Sequence, residues 1–401
     1  MKILFVADVS ISKPTSGSER TLYEQSTLLR KRGHHVHILT RRMPAHRANQ
    51  EVIQGVTEWR YDIGQGNSLS FIRSILVNCK RLFESLQGKF CYDCINFHQP
   101  FSALAVIRSP ASTQVRKVYT CHSLSFEEFR SRNPRPINII KGVSYFLNIQ
   151  ARKFIEKKVL NQSDRIAVLS RFTQERLANA YGIPSGKMVV IPGGVDLQRF
   201  SPAVDKMEIR RRLSIPEQRM ILFTVRDLEP RMGLENLIYA FKEVIKELPD
   251  SYLILGGHGP LKNKLISLTH ELGVEDYIRF VGFILEEDLP DYYRTADVFI
   301  LPTVELEGFG LITLEALASG IPVLGTPVGG TVEILGKLDS RYLFKDSKPG
   351  SMASLIIETC RQFKDNPRLW QDVSAQCRAF VEAQYPWERN VDSTEELFEP
   401  S

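Results

Sequence analysis

The chain has 401 residues, 43% of them hydrophobic and 24% charged, which gives room for two domains and excludes a disordered chain. No apolar run approaches the length of a membrane span. The net charge of +6 is unevenly spread: residues 1–200 carry 30 Lys+Arg against 14 Asp+Glu, or +16, leaving 22 against 32, or −10, for the rest.

The opening MKILFVADVS reads as a first strand, Ile3 to Ala7. It is too short for a signal peptide, keeps Asp8 and lacks a small-residue cleavage site, so a cytoplasmic protein is expected. A Gly/Ser-bearing loop, Lys13 to Arg20 with Gly17 inside it, leads into a helix from Glu19 to Arg32 that Gly33 ends. No GK[ST] follows, so this is not a Walker P-loop. Further expected elements are a strand at Val36 to Leu39, a helix at Ile72 to Leu86, and strands at Cys94 to Phe97, Lys117 to Thr120 and Arg165 to Leu169. Cys91 and Cys94 form a lone CxxC; with no second pair to complete a zinc site, Cys94 is expected to pack in its strand. His98 and His122 each stand just past a strand, where open α/β sheets bind ligands. Phe126 to Leu160 is long, basic and aromatic; an anionic interface and a buried helix with a solvated basic face are equal readings of it.

The segment IPGGVDLQRFSP, residues 191–202, is a turn-rich connector that places a domain boundary near residue 200. The second half repeats the plan: strand Met220 to Val225, helix Leu234 to Glu247, strand Tyr252 to Gly256, helix Leu261 to Leu272, strand Ile278 to Val281. Strands alternating with helices imply parallel βαβ units, hence two doubly wound α/β domains, 1–200 and 201–383, with a last helix over 384–401.

The densest signal is LPTVELEGFGLITLEALASGIPVLGTPVGGTVEIL, Leu301 to Leu335. A strand from Asp297 runs into the loop Glu307-Gly308-Phe309-Gly310, and a helix opens near Leu311 and carries Glu315. A second strand, Ile321 to Gly325, ends in a loop with Gly329 and Gly330. Such junctions offer free N–H groups and the positive end of a helix to a phosphate. Two carboxylates near that point, Glu307 and Glu315, suit hydroxyl groups on either side of it, as in a sugar nucleotide.

This run resembles the E-x7-E signature of the retaining, family-4-type glycosyltransferases with the GT-B fold, and the resemblance covers nearly the whole chain. It implies two Rossmann-like domains facing across a cleft, with the last helix crossing back onto the first domain and Trp387 as a packing anchor. It implies that Glu315 binds ribose hydroxyls, that Glu307 lies beside the transferred sugar, and that the N–H groups of Phe309, Gly310 and Leu311 hold sugar and diphosphate. Arg226, at the end of a strand, and Arg231, before the next helix, are the expected diphosphate cations. Met232 stands where the family usually has Lys, which is a departure. Gly257 and Gly259, in Gly-Gly-His-Gly-Pro, resemble the turn that passes close to the nucleotide, with His258 an exposed turn residue. The backbone at Val281 and Gly282 is expected at the nucleobase edge. In the first domain, Gly17 resembles the family's glycine loop, whose backbone approaches the donor phosphate and acceptor, and His122 the histidine in reach of the transferred sugar.

The implied co-substrate is a nucleoside-diphosphate sugar, with UDP or GDP favoured as the nucleotide, and no other cofactor. No Asp-x-Asp is available to hold Mg²⁺ or Mn²⁺ on a diphosphate, so metal independence is expected. The acceptor is a glycan, a lipid-linked molecule or a small metabolite, with cell-surface polysaccharide or glycolipid assembly favoured by the resemblance. The basic half points to an anionic membrane surface, at its inner face, with a merely solvated basic surface as the even alternative. No aromatic-basic recognition module is present, so nucleic acid is not an expected partner. Two further readings stay open: a GT-B phosphorylase or sugar-phosphate synthase, and a catalytically impaired nucleotide-sugar-binding partner subunit.

Overall fold

The computed structural model describes residues 1–44, 46, 48–64 and 68–399, with backbone only at residues 68 and 69. The chain divides into two compact units, one of residues 1–193 with the C-terminal helix Trp387–Phe398, the other of residues 194–386.

The first unit is built on eight strands: β1 (Lys2–Val6), β2 (His35–Arg41), β3 (Gln50–Ile53), β4 (Val56–Tyr61), β5 (Cys94–Phe97), β6 (Arg116–Cys121), β7 (Arg165–Val168) and β8 (Met188–Val190). Their order is β3-β4-β2-β1-β5-β6-β7-β8, and every pairing except β3 with β4 is parallel. β1 and β5 are apolar runs because helices cover a parallel sheet on both faces, leaving no solvated side for alternation to mark.

The hairpin β3–β4 has no counterpart in the sequence reading. Its turn places Gln54 at φ 50° and Gly55 at φ 79°, the left-handed pair a two-residue hairpin requires. Gln is a poor signal for that geometry, and exposed β3 carries no apolar alternation. The expected helix from Ile72 to Leu86 is interrupted: Ser68–Ser74 and Lys80–Phe90 flank a π-helical turn, Ile75–Cys79. That turn keeps Ile75, Cys79, Phe83 and Leu86 all on the buried side. Cys91, with φ 53°, ends this helix and is exposed, whereas Cys94 is buried in β5; all six cysteines are free thiols.

The second unit holds β9 (Met220–Val225), β10 (Ser251–Gly256), β11 (Ile278–Gly282), β12 (Val298–Leu301) and β13 (Val323–Gly325) in the parallel order β11-β10-β9-β12-β13. β13 starts two residues later than Ile321, after Pro322, which has no N–H to give to a ladder. Helix Leu234–Glu247 buries Leu234, Leu237, Ile238, Phe241 and Val244, the one-face spacing of an amphipathic helix. Asp297, just before β12, anchors the sheet's far end: it accepts from Arg210 at 2.7 Å and Lys206 at 3.0 Å.

The last helix begins at Trp387 rather than 384, because Gln384 ends the preceding helix Pro367–Gln384; residues 400 and 401 lie outside the described residues. It packs Val391, Leu397 and Phe398 into the first unit's core with Ile3 and Phe5, and Asn390 accepts a hydrogen bond from Gln25 at 2.9 Å. Trp387 is buried. Among the described residues no helix is long and apolar enough to cross a membrane.

Candidate active site

In each sheet the strand order reverses beside the first strand of the unit, between β1 and β5 and between β9 and β12. Loops leaving the two strands at such a point diverge and open a crevice at their carboxyl ends. The sequence-predicted residues of the second unit gather there. Arg226 follows β9, and Pro302 and Thr303 follow β12.

Arg226 Nη2 donates to Glu307 Oε2 at 2.7 Å, and both side chains are nearly buried. Thr303 Oγ1 donates to the same carboxylate oxygen at 3.1 Å. The departure at Met232 has a structural consequence: its sulfur lies 2.8 Å from Arg226 Nη2, within the same cluster. Arg231 turns to the loop, donating to the Leu306 carbonyl at 3.2 Å, while its own carbonyl accepts from Val304 N–H at 2.8 Å. Arg231 thus braces the strand-end loop that presents Glu307.

Gly310 caps helix Leu311–Ala318 at φ 95°, a conformation L side chains rarely adopt. Glu307 Oε1 lies 3.8 Å from where a Gly310 Cβ would be, so the carboxylate sits at this helix's N-terminus. Among the described residues the N–H groups of Phe309, Gly310 and Leu311 have no backbone partner. Gly329 and Gly330 pack directly on this loop, and Gly330 N–H donates to the Glu307 carbonyl at 2.9 Å. A cation, a carboxylate and an open helix N-terminus therefore meet at one place.

Glu315 is placed differently from Glu307. It is buried, and its Oε2 accepts from the Tyr293 hydroxyl at 2.9 Å. Tyr293 comes from the helix Leu289–Thr295, and nothing in the motif spacing points to it.

Gly257 and Gly259 allow close passage of the loops after β9 and β10. A Cβ at Gly257 would stand 1.8 Å from the Arg226 carbonyl oxygen, and one at Gly259 2.6 Å from that of Leu228. The backbone of the β10 loop thereby fixes where Arg226 leaves its strand. Gly282, at φ 73°, ends β11 after Val281 and accepts from Gly257 N–H at 2.6 Å. Exposed His258 meets the half-exposed ring of Phe283 edge-on at 5.6 Å. Phe283, the residue after β11, supplies an aromatic face that the sequence reading passed over.

In the first unit Gly17 is the first residue of helix Gly17–Lys31 rather than part of the loop before it, because Ser16 is the cap. The Thr15 and Ser16 N–H groups are taken by Glu19 Oε2, at 2.8 and 2.9 Å. His122, after β6, reaches His98, after β5: Nε2 of one and Nδ1 of the other are 2.9 Å apart, one N–H donating to the other's lone pair. The pair cannot be doubly protonated in that geometry. Burial pushes His122 down to about 4, and burial with the neighbouring His122 pushes buried His98 well below the usual range.

These depressed values have a sign. An imidazole kept neutral in the fold contributes stability that is present above its unfolded pKa of about 6.5 and lost as pH falls toward 4, up to about 3 kcal/mol for His122. Buried Glu156, pushed up to about 7, works the other way, losing its contribution as pH rises from about 4.5 to 7. The difference between wild type and His122→Gln isolates the histidine. Between pH 7 and pH 4.5 the melting temperature should fall less in the variant than in the wild type; an equal fall would show that the pair is not what titrates.

Among the described residues no three His, Cys, Asp or Glu side chains stand together as a metal site. Residues 15–199 match the model described as Glycosyltransferase Family 4, and residues 205–369 the model described as Glycosyl transferases group 1. The chain belongs to the family-4-type glycosyltransferases.

One relative of this glycosyltransferase chain is the GDP-mannose-dependent alpha-(1-6)-phosphatidylinositol monomannoside mannosyltransferase of Mycobacterium tuberculosis, 29% identical over 58% of this chain and 60% of that protein. Another is a D-inositol 3-phosphate glycosyltransferase of Geodermatophilus obscurus, 30% identical over 75% of this chain and 65% of that protein. The matches span about three-fifths of the length of these curated relatives. Among solved structures, sucrose-phosphate synthase from Thermosynechococcus elongatus matches 99% of this chain and 98% of its own with a TM-score of 0.81 at 21% identity. At that identity the shared property is the fold, GT-B.

Proposed function

We propose that this chain transfers a glycosyl unit from a nucleoside-diphosphate sugar to a hydroxyl acceptor, with retention of configuration and without a metal, in the assembly of a cell-surface polysaccharide or glycolipid. The observation that carries the reading is the meeting of Arg226, Glu307 and the open N-terminus of helix Leu311–Ala318 at the β9/β12 reversal. The leaving group of such a reaction is a nucleotide diphosphate. Its developing charge needs fixed donors at one place, and a guanidinium with aligned backbone N–H groups provides them.

In this reading the bond between the anomeric carbon and the diphosphate oxygen breaks, and the acceptor oxygen bonds to that carbon on the same face. The acceptor proton passes to the departing phosphate. Arg226 takes up the diphosphate charge and Arg231 holds the loop in place. Glu307 positions Arg226 and faces the transferred sugar, and Glu315, braced by Tyr293, serves the ribose. Backbone at Val281 and Gly282, with the ring of Phe283, serves the base. The first unit's candidates are His122, for the transferred sugar, and the backbone at Gly17, the first residue of its helix, for the donor phosphate. GDP and UDP are the nucleotides to test first; the mycobacterial relative, by its name, depends on GDP-mannose.

Calorimetric titration of UDP, GDP and ADP and their common sugars into the full chain, with and without EDTA, tests this. Tight binding of one nucleotide is expected, unchanged by EDTA and lost in Glu315→Ala. Sensitivity to EDTA would sink metal independence, and inversion at the anomeric carbon, read by NMR of the product, would sink the stereochemistry.

Met232 favours one second reading, a nucleotide-sugar-binding partner with an impaired site, because its sulfur lies where the family usually has a cation. Nucleotide binding by the wild type without transfer, with transfer gained in Met232→Lys, would select it.

A further inference from the structure

The helix Ile139–Gln162 has two apolar faces, and only one is used. Glu156, Val159 and Leu160 are buried, and Ile149 and Ile155 pack against the first unit's core. On the opposite side Ile139, Ile140, Val143, Phe146, Leu147 and Phe154 are 55–84% exposed. At 100° per residue these six fall within an arc of about 120°, and they run about 22 Å along the axis. The stripe starts immediately after the Asn138 cap, which accepts from Ile140 and Lys141 N–H at 2.9 and 3.2 Å, and Ile137 just before it is fully exposed. Scattered exposed apolar residues need no explanation, but a continuous helical face does.

Charge decides what covers it. Residues 129–160 carry eight Lys and Arg and a single acid, Glu156, which is buried. Arg130, Arg132, Arg135, Lys141 and Lys157 are exposed around the stripe. A second copy of this chain would bring the same positive face against itself in a two-fold pairing, like charge on like. An anionic bilayer attracts each of these side chains and accepts the apolar side chains below its headgroups. We propose that this helix lies flat in the surface of an anionic membrane, with the Ile139–Phe154 face inserted and the flanking Lys and Arg on the headgroups. The helix is not apolar enough to span, and an interfacial helix with basic flanks is the arrangement that fits. The proposal is independent of the donor and of the transfer reaction.

Sedimentation of the full chain with vesicles tests it, using phosphatidylcholine alone and phosphatidylcholine with phosphatidylglycerol. Wild type should pellet with the phosphatidylglycerol vesicles and far less with the neutral ones. The triple variant Ile140→Ser, Leu147→Ser, Phe154→Ser changes only exposed positions, so its circular dichroism should match wild type while its partitioning falls more than about tenfold. Phe146→Trp should add fluorescence that shifts to the blue when phosphatidylglycerol vesicles are present. Wild type remaining in the supernatant, or the triple variant pelleting as wild type does, would overturn the proposal. So would added fluorescence in Phe146→Trp that is indifferent to vesicles, or a dimer in size exclusion that the triple variant dissociates, which would assign the face to a second copy.

Discussion

Arg226→Ala should lower kcat/KM for glycosyl transfer by about 10²–10³-fold, equivalent to roughly 3–4 kcal/mol of lost transition-state stabilisation. The size follows from the position. Arg226 leaves β9 with its carbonyl wedged against Gly257 and its guanidinium held by Glu307 and Met232, so it reaches the place of charge development without reorganising. The same change leaves Glu307 in a nearly buried site with Thr303 as its remaining partner among these groups, and an uncompensated buried charge costs roughly 3–5 kcal/mol of stability. Activity and stability would then fall together, and the single variant could not say which came first. The pair Arg226→Ala, Glu307→Gln removes both charges. It should regain much of the melting temperature and none of the transfer. Arg226→Lys keeps the charge but not the planar two-donor fork, and should fall between wild type and Ala. If the double variant recovers transfer along with stability, Arg226 is a structural partner of Glu307 and the proposed role fails.

How much of this was legible in the sequence varies with the physics of each feature. Most of the parallel strands were legible because buried strands such as Lys2–Val6 and Cys94–Phe97 are short apolar runs between turn residues; β8, only three residues long, was not. The β3–β4 hairpin was not, because an exposed edge strand has no buried face to print a pattern and the turn is Gln-Gly rather than Asn-Gly. The π turn at Ile75–Cys79 is invisible for a related reason: inserting one residue leaves the composition untouched and shifts only the phase. At the site, motif spacing put Glu307 and the Gly310 junction on the page, since both lie in one short segment. It could not show that Arg226, 81 residues earlier, is the ion-pair partner of Glu307, nor that Tyr293 holds Glu315, because those contacts are set by strand order. The exposed face of Ile139–Gln162 lies between: its residues are apolar in the sequence, but only the structure shows that another face of the same helix already fills the core.

Gly329→Ala should be among the most damaging single methyl groups in the second unit. Gly329 has φ 59° with ψ −139°, outside the regions open to L side chains, and a Cβ there would stand 1.9 Å from the Glu307 carbonyl oxygen and 2.8 Å from its carbon. Neither is the end of a flexible side chain, so the loop from Glu307 to Gly310 must move by about 1 Å or more, and it carries the carboxylate and the helix N-terminus with it. A displacement of that size at a reacting centre costs about 10²-fold in rate. It should also weaken nucleotide binding and lower the melting temperature, while the far-UV circular dichroism stays that of the wild type. Gly336 is the control. It lies in the same helix, Gly330–Leu338, and is exposed, with nothing within 4 Å of a Cβ added there. Gly336→Ala should leave transfer unchanged and stabilise the helix by about 0.5–1 kcal/mol, because Ala loses less backbone entropy than Gly on folding. The comparison separates two meanings of glycine in one motif: at Gly336 the missing side chain is a cost, whereas at Gly329 it is the condition for two loops to touch. If Gly329→Ala binds nucleotide and transfers sugar as the wild type does, then the position of the Glu307 loop does not set the reaction, and the site must be sought elsewhere in the fold.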